Sequence, residues 1–366
     1  MELSQIFRNA DEGKALKKEE LKFLLEIKEK EQLDELFKEA YEIKLKNIGN
    51  KVFFRGIIEF SNICIKDCYY CGIRKSNNKV ERFLMKEDEI LKGAIWAFNN
   101  NYGSIVLQSG ERNDPAFVDF IENILTKIKK KTEGKLGITI SLGEQRKEVY
   151  QRWFNAGAHR YLLRIETSNK ELYKKLHPEN HDFDVRKNCL YELKKIGYQV
   201  GTGVMIGLPF QTIDDLVDDI YFFKDNDIDM IGMGPYIVSD NTPLAKQMPE
   251  FEQMKEAQYL LSLKMISAAR IFLKDVNIAA TTALQALKYS GREMGLKAGA
   301  NIIMPNITDT QFRPSYQLYD NKPCIDENTD DCMGCLEKRI YNINETIGFN
   351  EWGDSPHFLN KNKITQ

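Results

Sequence analysis

The sequence predicts an α/β chain built on a parallel (β/α)8 barrel of the TIM type, with a helical extension before it and a second extension after it. Three observations lead there. From Val52 onward, eight apolar, strand-like runs alternate with helical ones; the connections between them are short, with no low-complexity linker; and 366 residues is an ordinary length for one such barrel. Alternation of this kind argues for a parallel sheet with helical crossovers, and eight units are the number that closes a barrel. The expected division is residues 1–49 for the helical extension, 50–306 for the barrel and 307–366 for the C-terminal extension.

In residues 1–49, segments 18–30 and 32–46 carry Leu, Ile and Phe at three- and four-residue spacing between Glu and Lys, the period of amphipathic helices. They are expected against the bottom or side of the barrel. Strands are read at 52–60, 104–108, 137–142, 160–166, 199–207, 230–236, 277–282 and 301–304. Helices separate them at 86–99, 115–130, 148–155, 186–195, 213–224, 251–273 and 291–298.

Active sites of such barrels lie at the C-terminal strand ends, so the residues there are candidates. The first strand delivers Cys64, Cys68 and Cys71. The second ends in Gln108-Ser109-Gly110-Glu111, where the bare Gly110 lets backbone approach a ligand, and the third in Ser141-Leu142-Gly143-Glu144. On the fourth, strand alternation puts Arg160, Leu162, Arg164 and Glu166 on one face. Charges inside a barrel need partners, which are either each other or a ligand. The fifth is rich in glycine from Gly201 to Gly207. The sixth supplies Met230, Met233 and Tyr236, the seventh Thr281 and Thr282, and the eighth Met304 followed by Arg313, Tyr316 and Tyr319. Methionines, hydroxyls and phenol rings at one mouth make a mostly apolar cavity with a few fixed polar groups.

Charged residues make up 29% of the chain but nearly cancel, for a net charge of −2. This argues against nucleic acid or an anionic membrane as the main partner. No apolar run approaches the length of a membrane span, and the first residues lack a basic flank with an apolar core, so a cytoplasmic protein is expected. Seven cysteines then read as metal ligands and core residues rather than disulfides. Cys189, inside a helical pattern, reads as a buried thiol. The other six form two groups, 64/68/71 and 324/332/335.

The first group is spaced C-x3-C-x2-C directly after an apolar run. Three thiolates hold three irons of a 4Fe-4S cube and leave the fourth open to a small molecule, as a catalytic zinc keeps a vacant position. A structural zinc site would want four closed ligands, and no histidine stands near this loop in the sequence. The loop, with Tyr69 in the aromatic position and Tyr70 beside Cys71, resembles the signature of the radical S-adenosylmethionine (SAM) superfamily. That resemblance implies a 4Fe-4S cluster and SAM, whose sulfonium is split to a 5′-deoxyadenosyl radical. It also implies SAM contacts at Tyr70, Gly110, Glu166 and Arg186, the last because a guanidinium fork matches a carboxylate.

From about residue 53 to 340, the segments IIEFSNICIKDCYYCGIRK, IVLQSGE, RYLLRIET, MIGLPFQTIDDLVDD, DMIGMGPYI, AATTA, NIIMPN and YQLYD resemble the HydE-type FeFe hydrogenase maturases. Cys324, Cys332 and Cys335 reproduce the C-x7-C-x2-C spacing of an auxiliary site in that family, which implies a candidate 2Fe-2S cluster of peripheral importance. A zinc site is the alternative, and His357 is a conceivable further ligand. The resemblance further implies a role in assembling the diiron part of the hydrogenase active site. The substrate would be a small organometallic iron–cysteine complex, and other maturation factors and an unidentified electron donor would be the partners. Arg164 and Tyr316 would act in catalysis, and Met230, Thr281, Thr282 and Met304 would line the substrate cavity. Ile165 stands where some relatives carry His. The rival readings are a methylornithine synthase-like or biotin synthase-like enzyme and a non-catalytic iron–sulfur or zinc scaffold. Biotin synthase is disfavoured because no later strand end carries a cysteine.

Overall fold

Eight parallel strands form a closed ring in a computed structural model that describes residues 2–326 and 329–364; the side chains of 329–332 and 362–364 lie outside that description. The strands are β1 (Lys51–Ser61), β2 (Ser104–Ser109), β3 (Gly137–Ser141), β4 (Arg160–Leu162), β5 (Gln199–Thr202, continued by Met205–Ile206), β6 (Met230–Ile231, continued by Gly234–Pro235), β7 (Asn277–Ile278) and β8 (Ile302–Ile303). They pair in the order β8-β1-β2-β3-β4-β5-β6-β7. A bridge between Ala279 and Ile302 joins the two ends, supported by the amides of Asn301 and Ala280 donating to the carbonyls of Ile278 and Ile302, each at 2.9 Å.

Strands β4 to β8 are shorter than the sequence predicts. After Leu162 the regular ladder stops: the Ile165 amide donates to the Thr202 hydroxyl at 3.1 Å, and Glu166 takes φ +68°. The expected strand at 277–282 ends early because Thr282 already opens helix α11 (Thr282–Leu287). The bends occur where the chain reaches the barrel mouth, and they aim Arg164, Glu166 and Thr281 at what lies there.

The crossover helices are α4 (Glu87–Asn99), α5 (Pro115–Lys131), α6 (Lys147–Asn155), α7 (Lys170–Leu176), α8 (Phe183–Ile196), α9 (Ile213–Asp225), α10 (Phe251–Leu273), α11 and α12 (Gly291–Lys297). Their ends follow local chemistry. Asp114 accepts the Phe117 amide, with Pro115 in the first helical position; Thr212 and Asp215 form a capping box; Gly197, at φ +104°, terminates α8. Helix α5 buries Phe117, Ile121, Ile124, Leu125 and Ile128, an apolar stripe at helical spacing that faces the sheet.

Helices α1 (Leu3–Asp11), α2 (Lys18–Glu26) and α3 (Lys30–Asn47) lie along the side of the barrel. Lys18 and Lys22 pair with Asp218 and Asp214 of α9 at 2.5 and 2.8 Å, and the Lys264 ammonium of α10 donates to the Ile27 carbonyl at 3.1 Å. The bottom is closed by the C-terminal segment. Short strand β9 (Thr346–Ile347) pairs with β1. The Gly353 carbonyl accepts from Arg55 (2.9 Å) and Asn277 (2.8 Å), and Asp354 accepts from Arg160 (2.5 Å) and Gln199 (3.0 Å). Helices α13 (Thr329–Asn342) and α14 (Pro356–Ile364) flank this plug. Among the described residues, no helix is long and apolar enough to cross a membrane.

Candidate active site

At the C-terminal strand ends lies a cavity of about 320 Å³, the size of a small-molecule site. Cys64, Cys68 and Cys71 open onto it from the loop after β1. The loop is held from both sides. The Ile65 amide donates to the Glu111 carbonyl at 2.9 Å and the Tyr69 amide to the Leu176 carbonyl at 2.9 Å, while Asp67 accepts from Arg74 and from the Ser76 amide, both at 2.9 Å. Gly110 permits the close approach: a Cβ there would run into the Ile63 carbonyl and the Cys64 Cβ.

Burial pushes all three thiols up, Cys68 to about 12, so the thiolate form needs a positive metal beside it. The amides of Lys66 and Glu111 donate to Cys64 Sγ at 3.4 and 3.3 Å, hydrogen bonds that a metal-bound sulfur retains. Three cysteines on one loop, with sulfurs facing one cavity, fit the ligand set of a 4Fe-4S cube with one open iron.

Around them the site is charged on one wall. Glu144 pairs with Lys66 at 2.7 Å and with Arg186 at 2.8 Å, and Glu111 lies 3.4 Å from Lys66 and 3.8 Å from Arg186. Burial alone would push Glu144 up; Arg186 and Lys66 outweigh it and hold its carboxyl below the usual range. Glu111 moves the other way, pushed up by burial and then by Glu144. Arg186 also donates through Nε to the Arg164 carbonyl at 2.6 Å. Arg164 and Glu166 pair with each other at 3.0 Å.

The opposite wall comes from the segment after β8, where Tyr316, Leu318, Tyr319 and Lys322 close over the mouth. The Gln108 side-chain amide donates to the Tyr316 hydroxyl at 3.3 Å. Buried Glu59 anchors the wall from β1, pairing with Lys322 at 2.5 Å and accepting from Asn306 at 3.1 Å. Thr281, Thr282 and Met304 complete the lining.

Three expectations are altered, those on Met230, on histidines near the cysteine loop and on His357. Met230 does not reach the cavity: it opens β6 in the barrel interior, where Arg55 donates to its sulfur. The first residue of a parallel strand sits toward the bottom, and Gly232, Gly234 and Tyr236 of the same segment reach the mouth instead. Of the two tyrosines in the cysteine loop, Tyr70 faces the cavity, while Tyr69 packs among Leu172, Leu176 and their neighbours. Histidines do stand near the loop in space. His181 Nδ1 is 3.9 Å from Cys68 Sγ, and His177 Nε2 is 3.2 Å from the Tyr70 hydroxyl; burial lowers their pKa values to about 4 and about 3, so both rings are neutral. The second cysteine group lies apart from the cavity. Cys324 receives an Arg292 N–H at 3.7 Å, Cys335 is exposed, and the side chain of Cys332 lies outside the described residues. His357 cannot join them, because it pairs with Asp227 and Asp275 (2.6 and 3.1 Å) at the opposite end of the barrel.

The cavity thus gathers Cys64, Cys68, Cys71, Tyr70, Gly110, Arg164, Glu166, Arg186, Thr281, Thr282, Met304 and Tyr316. Sequence reasoning had no role for Lys66, Glu59 or Lys322, or for His177 and His181. Glu111 and Glu144 were within its reach, since each follows a glycine at a strand end and needs a counter-charge there.

The Radical SAM superfamily profile matches residues 58–223. The chain is 45% identical over 343 residues to the FeFe hydrogenase maturase subunit HydE of Thermotoga maritima, covering 93% of this chain and 94% of that one. It is 29% identical over 293 residues to the 3-methylornithine synthase of Methanosarcina acetivorans, covering 80% of each. A crystal structure of methylornithine synthase superposes with a TM-score of 0.81 at 24% identity, over 94% of this chain and 98% of that one, which shows the shared fold. With this level of identity across nearly its full length, the chain belongs to the HydE family of FeFe hydrogenase maturases within the radical SAM superfamily.

Proposed function

We propose that this protein cleaves SAM reductively at the mouth of its barrel and turns the resulting radical on a small organometallic iron–cysteine complex during assembly of the hydrogenase diiron subcluster. The observation that carries the reading is the placement of three partly buried thiols on one loop, facing a cavity whose remaining walls are built to hold a charged small molecule. When bound, the 4Fe-4S cluster supplies the electron that breaks the sulfonium C–S bond and yields the 5′-deoxyadenosyl radical.

The protein's own residues position and enclose. Cys64, Cys68 and Cys71 are the cluster ligands. Gly110 keeps the backbone near the SAM amine, and Glu166 takes the amine or ribose. Arg186 takes the carboxylate, because its guanidinium already faces the cavity and exchanges one carboxylate partner, Glu144, for another. Releasing Glu166 to SAM frees Arg164 for an anionic group of the substrate. Thr281, Thr282 and Met304 line the substrate space beside Tyr316. The wall from Tyr316 to Lys322, tied to Glu59, keeps bulk water from a radical that would otherwise be quenched.

Cys324, Cys332 and Cys335 are proposed ligands of an auxiliary 2Fe-2S cluster with no direct part in SAM cleavage. The cytoplasm is the proposed compartment, and the division into residues 1–49, 50–306 and 307–366 is the proposed domain plan.

Anaerobic reconstitution with iron and sulfide, followed by dithionite and SAM, tests the reading. Formation of 5′-deoxyadenosine is expected, as is rescue of hydrogenase maturation in an extract lacking only this subunit. A reconstituted protein that makes no 5′-deoxyadenosine would overturn the assignment.

A further inference from the structure

The loop between α7 and α8 carries two of the chain's four histidines, His177 and His181, and folds them over the cysteine loop. The His177 ring is oriented by its backbone contact. Its Nδ1 lies 2.9 Å from the Tyr173 carbonyl, which only accepts, so Nδ1 carries the proton and Nε2 keeps its lone pair. An outer N–H bond of this kind is how a ligating imidazole is commonly held. The Tyr70 hydroxyl, 3.2 Å away, donates to that bare nitrogen. His181 reaches over the other side of the loop: its Nε2 accepts the Asp67 amide at 3.4 Å, so Nδ1, 3.9 Å from the Cys68 sulfur, carries the ring proton in the metal-free chain. One ring nitrogen of each histidine and the Cys68 sulfur all lie within 4.8 Å of one another, and the two rings are only 4% and 8% exposed.

The geometry points to a second metal site that shares Cys68 with the first: in the cluster-free chain, Cys68, His177 and His181 bind one divalent transition metal of the zinc or ferrous iron type. One thiolate and two imidazoles are a donor set such borderline ions accept. Tetrahedral ligation at about 2.0–2.3 Å places ligand atoms roughly 3.5 Å apart, so closing the trio asks a shift of about 1 Å or less from each. Binding displaces the Cys68 thiol proton to solvent, moves the His181 ring proton from Nδ1 to Nε2 with release of the Asp67 amide, frees His177 Nε2 from the Tyr70 hydroxyl, and leaves the oxidation state of the metal unchanged. Water fills the fourth position.

Cys68 can serve one site at a time. The divalent ion and a cube on the three cysteines therefore exclude each other, and the single-metal site loads when the cysteine loop is empty. Zinc held there blocks cluster assembly until it is removed.

Cobalt(II) is the probe. Cluster-free, full-length protein is titrated anaerobically, and thiolate-to-cobalt charge transfer is read together with the intense d–d bands of a tetrahedral site. One equivalent of this signal should be missing from a His177→Gln/His181→Gln variant, retained in Cys64→Ser/Cys71→Ser and displaced by zinc. His181→Asn alone, a milder change, should weaken cobalt binding at least tenfold while far-UV circular dichroism stays native. The proposal is overturned if the histidine variant takes up cobalt with the same stoichiometry and spectrum, or if Cys64→Ser/Cys71→Ser loses that equivalent, since the three cysteines would then be the ligands. The titration contains neither SAM nor sulfide, so its outcome and that of the SAM-cleavage assay are independent.

Discussion

Gly110 shows how narrow the tolerances around the cysteine loop are. A methyl there meets the Ile63 carbonyl and the Cys64 Cβ, neither of which is the free end of a side chain, so the loop must move. Gly110→Ala should cost about 1–3 kcal/mol by overpacking and lower the iron and sulfide retained per chain after reconstitution. Both are measurable, by denaturant titration and by metal analysis. Cys68→Ala should reduce 5′-deoxyadenosine formation to background, because a cube with two protein ligands is not retained. Glu166→Ala should weaken SAM binding about tenfold or more, with little change in the cluster's visible spectrum. An unchanged affinity would leave Glu166 as nothing more than the 3.0 Å partner of Arg164. Cys332→Ala should leave SAM cleavage intact. At this scale the cysteine trio was legible because its spacing is a local property. The nearby histidines were not, since their approach to Cys68 spans more than a hundred residues of chain.

The helices were the most legible elements, because an apolar stripe and a cap are written in consecutive residues, as in α5 and α9. Strand extents were less so. An apolar run at 160–166 cannot reveal that its last residues leave the ladder to aim Arg164 and Glu166 into a cavity. One connection between elements was invisible: Lys44 of α3 and Glu345, just after α13, form an ion pair at 2.8 Å with both side chains fully buried. Burial, only partly offset by Glu345, holds Lys44 down to about 8. Removing one member leaves a buried charge unpaired, so Lys44→Met should destabilise the fold by about 3–5 kcal/mol. Lys44→Met/Glu345→Met should recover most of that loss, as read from urea unfolding midpoints.

The barrel as a whole is stoppered at its lower end, and a titrating group helps to hold the stopper. His357 of α14 is raised above the ordinary imidazole range, first by its hydrogen bond to Asp275 and then by Asp227. A raised folded-state value means that the contribution is complete below the unfolded value of about 6.5 and is lost as pH climbs through the folded one. Thermal stability should accordingly fall on the alkaline side of about pH 6.5, and His357→Gln should flatten that part of the profile. A wild-type profile identical to that of the variant would show that the pairing contributes nothing.

The sequence by itself determined what repeats or sits close along the chain: the alternation of strand and helix, the C-x3-C-x2-C loop and the candidates at strand ends. These survive without coordinates because period and spacing are set by bond geometry. The tertiary structure alone decided what depends on closing the ring. It withdrew Met230 into the interior, paired Glu144 with Lys66 and Arg186, and folded His177 and His181 onto Cys68. Contacts between residues far apart in the chain follow from where the eight strands meet, and no stretch of neighbouring residues encodes that meeting alone.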